Sequence, residues 1–74
     1  MTPHEENLSW YISAINADLV ERLGCAPLVC DQLDVLTDPA RIAEALDMLD
    51  DLQTRVGVSA YWIGELSAYL EESK

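Results

Sequence analysis

The sequence predicts an all-α fold, a small four-helix domain built from two helical hairpins. Three observations predict it. Apolar residues recur at spacings of three and four, no stretch alternates as a strand does, and Gly or Pro marks the boundaries of the periodic runs. With 74 residues there is room for one hydrophobic core, so residues 1–74 are read as a single acidic helical domain.

The first helix opens at Thr2. Pro3 loses no helical hydrogen bond there, and Glu5 completes a capping box while Glu5 and Glu6 meet the positive end of the helix dipole. Leu8, Ile12, Ile15, Leu19 and Leu23 follow at spacings of four, three, four and four. That face runs to Gly24, a residue suited to a left-handed C-terminal position. A shorter second helix is expected from Pro27, with Val29, Cys30, Leu33 and Leu36 as its apolar face. Thr37, Asp38 and Pro39 announce a third, in which Ile42, Ala45, Leu46, Leu49, Leu52 and Val56 lead to Gly57. Ser59 caps a fourth, carrying Ile63, Leu66, Tyr69 and Leu70, where Gly64 costs up to about 1 kcal/mol.

A weak repeat runs through these elements at an offset of 33. Asp18-Leu19 aligns with Asp51-Leu52, Arg22 with Arg55, Gly24 with Gly57, Cys30 with Ile63, Gln32 with Glu65 and Leu33 with Leu66. Each unit reads as a longer helix, a glycine break and a shorter helix. Duplication accounts for this, and so does the similarity of any two amphipathic hairpins.

Fourteen Asp and Glu against four Lys and Arg give a net charge of −10. Counterion release needs clustered cations, so direct binding to nucleic acid or to an anionic membrane surface is excluded. Half of the residues are hydrophobic, too many for a disordered acidic tail. No apolar run approaches the roughly 20 residues of a membrane span, and no basic-then-apolar leader opens the chain. A chain this short buries only about 60% of the surface its unfolded form exposes, so something must supplement the core. Cys25 and Cys30, five apart, cannot meet disulfide geometry within a helix and could pair only if the intervening turn folded back. Reduced, packed cysteines and a cytoplasmic location are expected. One His and two Cys without zinc spacing give no metal site, and no phosphate-binding glycine loop gives a cofactor site. Self-association, in the simplest case as a homodimer, is the remaining supplement.

The segment LQTRVGVSAYWIGEL, Leu52 to Leu66, resembles a helix-turn-helix DNA-binding unit. Its would-be recognition helix, Ala60 to Ser73, holds Glu65, Glu71 and Glu72 and no Lys or Arg, so it cannot grip phosphate. In size and charge the chain also resembles the acyl carrier proteins. Their attachment serine falls in an Asp-Ser-Leu motif, and the nearest segment here, Asp34-Val35-Leu36, offers Val35 instead. Catalysis has no nucleophile with a base in reach: the one imidazole, His4, sits beside a terminus expected to fray. No enzyme is expected.

What stands out is the placement of charge and of aromatic rings. Asp31, Asp34, Asp38, Glu44, Asp47, Asp50 and Asp51 crowd one segment, with Arg41 alone opposing them. Glu44, Asp47 and Asp51 share one helical stripe, where like charges cost a few tenths of a kcal/mol per pair. Such a surface suits a basic partner protein, whose encounter it would steer. Phe is absent, and four of the five aromatic residues are neighbours, Trp10-Tyr11 and Tyr61-Trp62. Adjacent helical positions diverge by about 100°, so one member of each pair must turn away from the core. Trp10 is expected outward, and Trp62 inward with Leu66 and Tyr69, which turns Tyr61 outward with Glu65 and Ala68.

These features predict a non-catalytic interaction module. Its acidic residues would bind and inhibit a partner by occupying a basic, nucleic-acid-binding surface. In size and charge the chain resembles the small acidic helical inhibitors encoded by phages, including some anti-CRISPR proteins. The alternative is a homodimeric helical adaptor that binds through Trp10, Tyr11 and Tyr61.

Overall fold

A computed structural model of the chain describes residues 2–57 and 60–72. Among them four α-helices form and no strand does: α1 (Pro3–Ala17), α2 (Cys30–Thr37), α3 (Ile42–Val56) and α4 (Tyr61–Glu72). The helices close a ring in which α1 packs on α4, α4 on α3, α3 on α2, and α2 more loosely on α1. The acid-bearing helices α2 and α3 are therefore neighbours, across the bundle from the α1–α4 pair.

Helix α1 begins as its sequence demands. Thr2 is extended, and its hydroxyl accepts the Glu5 N–H at 3.2 Å. The expected run to Leu23 is not all α-helix, because Asp18–Arg22 widens into a π-helical segment closed by the Leu23 N–H donating to the Asp18 carbonyl at 3.0 Å. Spacings of four rotate the apolar stripe by about 40° per turn of a 3.6-residue helix. The wider turn falls where two successive spacings of four, Ile15 to Leu19 to Leu23, would accumulate that drift, and Leu19 within it is buried. Gly24 then reverses the chain at φ +66°.

The second helix starts later than expected, at Cys30. Leu28 explains this, since its side chain is buried and its N–H donates to the Asn16 Oδ1 at 2.8 Å. That anchor holds the preceding residues on α1 as a loop. Val29 becomes the extended residue before the helix, its N–H donating to Gln32 Oε1 at 2.9 Å. Val29 and Cys30 are thus exposed rather than part of an apolar face, and Cys25 is exposed as well, so neither cysteine is packed. Asp38 caps a 3₁₀ turn, Pro39–Arg41, through the Ala40 N–H at 2.9 Å, and α3 follows. Helix α3 ends at Gly57, φ +79°. The expected cap at Ser59 lies outside the described residues.

The core is aliphatic throughout. Leu8, Ile15, Leu19, Leu28, Leu36, Leu49, Leu52, Ile63, Leu66 and Leu70 fill it with Ala45 and Ala60, and no polar or charged residue is buried among the described residues. The repeat has a structural counterpart: Arg22–Asp18 and Arg55–Asp51 are equivalent ion pairs one helical turn long, at 3.4 and 3.2 Å, each preceding a glycine of positive φ. The correspondence fails at Cys30, exposed where Ile63 is buried.

Candidate functional site

Two surfaces carry the chemistry, on opposite sides of the bundle. On α2 and α3, Asp31, Asp34, Glu44, Asp47, Asp50 and Asp51 are all exposed. They are not equivalent. Glu44 accepts from Arg41 through both Nε and Nη2, at 3.3 and 3.0 Å, and Asp51 pairs with Arg55 at 3.2 Å. Arg55 thus opposes the segment together with Arg41, where the sequence suggested Arg41 alone. The half-buried Asp38 spends its carboxylate on its cap.

Asp31, Asp34, Asp47 and Asp50 remain, exposed and in no ion pair among the described residues. The hydrogen bond to Glu44 holds the Arg41 guanidinium above its ordinary pKa, with the charges of Glu44, Asp38 and Asp34 adding to it. The contact itself is made by Glu44, one turn away in sequence, while Asp38 and Asp34 contribute only through their charge. Asp31 in the first turn of α2 also favours that helix's positive end.

The second surface lies along the α1–α4 seam, and it gathers every Trp and Tyr of the chain together with its one His. His4 stacks on Tyr69 with centroids 5.5 Å apart, and the Tyr69 hydroxyl and His4 Nδ1 share a 2.8 Å hydrogen bond whose donor is set by the imidazole tautomer. Asn7 Nδ2 donates to the same hydroxyl at 3.4 Å. His4 is therefore tied to the far end of α4, where the sequence suggested a fraying end. Tyr69 meets Tyr11 at 5.4 Å, Tyr11 meets Trp10 at 5.3 Å, Trp10 meets Trp62 edge-on at 4.7 Å, and Trp62 meets Tyr61 at 4.9 Å.

Within this ridge, Trp10 is 54% and Tyr61 58% exposed, facing outward as their helical angles require. Tyr11 is half-buried and packs against the core, so it offers solvent far less than the other two. Adjacency in sequence pointed to paired rings on each helix. It carried no sign that α1 and α4 would be neighbours, which is what merges the pairs.

A cleft of about 490 Å³ opens between α1 and α2, floored by Leu8, Ile12 and Leu33 and edged by His4, Glu5 and Ser9. No group of three His, Cys, Asp or Glu among the described residues could hold a metal ion. No helix is long and apolar enough to cross a membrane among those residues. Comparison with protein-family models, with curated proteins and with solved structures finds no match.

Proposed function

We propose that the protein is a non-catalytic interaction module whose acidic α2–α3 face occupies a basic, nucleic-acid-binding surface on a partner protein and inhibits it. The observation that carries this reading is the set of four exposed aspartates, Asp31, Asp34, Asp47 and Asp50, spread over two packed helices with no cation of the described chain paired to them. Charge density supports it. Of the fourteen described acids, seven fall between Asp31 and Asp51, and the two arginines beside them, Arg41 and Arg55, pair with Glu44 and Asp51. Such a concentration of negative charge steers a basic surface toward it.

The test is a pull-down from source lysate with tagged protein, eluted in steps from about 0.1 M to 1 M salt, over which the Debye length shrinks from about 10 to 3 Å. A basic partner released as salt rises, and lost when Asp31, Asp34, Asp47 and Asp50 are all replaced by Asn, supports the reading. Binding unchanged in that variant would remove it. The exposure of Trp10 and Tyr61 favours a second reading, a homodimeric adaptor joined through those rings. Sedimentation that depends on concentration, and ceases to in Trp10→Ala, would support that instead.

A further inference from the structure

Each exposed ring of the α1–α4 ridge has a carboxylate one helical turn away. Glu6 lies four residues before Trp10 on α1, and Glu65 four residues after Tyr61 on α4. Side chains at that spacing are neighbours on a helix, with Cβ atoms about 5–6 Å apart. Glu6 is exposed, Glu65 half-buried, and neither forms an ion pair among the described residues. A half-exposed ring beside a carboxylate in no ion pair suits a guanidinium, which can stack on what the ring leaves to solvent while its N–H groups reach the carboxylate.

We infer that the ridge is a second docking surface, on which the Glu6–Trp10 and Tyr61–Glu65 pairs each receive an arginine side chain of a basic protein. The inference rests on the basic-partner reading and adds to it a second contact face and a residue preference. The charge distribution selects the occupant. Neither α1 nor α4 contains a Lys or Arg, while Glu5, Glu6, Glu65, Glu71 and Glu72 all lie on them. A second copy laid on this ridge would bring the same carboxylates against their own kind, and its Arg22, Arg41 and Arg55 already pair with Asp18, Glu44 and Asp51. A wholly apolar partner would desolvate Glu6 and Glu65 with nothing to replace the water. Arginine is favoured over lysine because its planar, weakly hydrated head stacks, whereas an ammonium keeps its hydration shell.

The experiment titrates the protein with oligo-arginine and oligo-lysine peptides of equal length at about 0.1 M salt, where surface charges still interact over about 10 Å. Affinity and the NMR signals of the Trp10 indole N–H and the Tyr61 ring are followed together. The arginine peptide is expected to bind at least about two-fold more tightly than the lysine peptide, part of the roughly two- to five-fold that an exposed cation–π contact is worth, and to shift both signals. Replacing Trp10 and Tyr61 by Leu, or Glu6 and Glu65 by Gln, should bring the two affinities together while the amide dichroism, read at a wavelength clear of the indole band, stays that of the parent. The Gln variant leaves the rings in place, so loss of preference there cannot be ascribed to a disturbed seam. Equal affinities with unmoved ring signals would overturn the arginine ridge and leave the acidic α2–α3 face standing. Binding of neither peptide would overturn both. Concentration-dependent dimerisation abolished by Trp10→Leu would overturn the ridge inference in favour of a second copy.

Discussion

Neighbouring acids on α3 have different roles, and mutation should separate them. Asp47 is exposed and makes no ion pair among the described residues, whereas Glu44 takes two hydrogen bonds from Arg41. Asp47→Asn is expected to leave the urea midpoint unchanged or slightly raised, because it relieves repulsion along its stripe. Glu44→Gln should lower the midpoint slightly at low salt and have no effect at high salt, where an exposed pair is screened. Trp10 and Leu49 make a similar contrast. Trp10→Leu changes a half-exposed side chain and should cost about 0.5–1.5 kcal/mol through its lost ring contacts, while Leu49→Ala empties a fully buried site and should cost about 2–5 kcal/mol, both by denaturant titration. At this scale the sequence was informative wherever helical angle alone decides exposure, as for Trp10 and Tyr61. It expected His4 at a fraying end and gave no sign of what would surround His4 or Tyr11, because those neighbours come from a helix more than fifty residues away.

The punctuation of the helices was legible because capping chemistry is local: Thr2, Asp38 and Gly57 each act on residues within one turn. The start of α2 was not. It depends on Leu28 being buried and on the Asn16 side chain reaching across the loop, and neither shows in the local pattern. The π-helical segment was hidden for a related reason, since a four-spaced stripe reads as α-helix until the core fixes where Leu19 must point. Gly64 provides a prediction for α4. A Cβ there would lie 3.5 Å from the Gln53 side chain, an ordinary contact, so Gly64→Ala should add up to about 1 kcal/mol of stability and raise the melting temperature by about 4–8 °C. The same substitution at Gly57, φ +79°, should destabilise despite the open space around it, because the backbone there disfavours any Cβ. Calorimetry on the two variants would show shifts of opposite sign.

For the whole molecule, repulsion outweighs attraction among surface charges. The three ion pairs among the described residues are one-turn contacts, set against a net charge of −10. Raising salt from about 0.1 M to 1 M is therefore expected to raise the melting temperature of the free protein even as it releases a basic partner. A melting temperature that fell over this range would mean that the exposed pairs contribute more than the self-repulsion. The all-α class and the pair of hairpins were readable from periodicity. The ring closure that puts α1 beside α4 was not, because an apolar stripe says that a helix has a neighbour without saying which.

The gathering of every Trp and Tyr on the α1–α4 seam also decides what light can report about this protein. Near-ultraviolet absorption, intrinsic fluorescence and near-ultraviolet dichroism all originate there, and α2 and α3 contain no tryptophan or tyrosine. Two indoles 4.7 Å apart and nearly perpendicular will also couple, adding an aromatic band to the far-ultraviolet spectrum beside the helical one. An unfolding curve read by fluorescence is thus a record of one seam opening. If α2, loosely held against α1, loosens first, emission will not register it. The amide signal at a wavelength clear of the indole band will, and a gap between the two curves would measure how far the bundle departs from all-or-none melting.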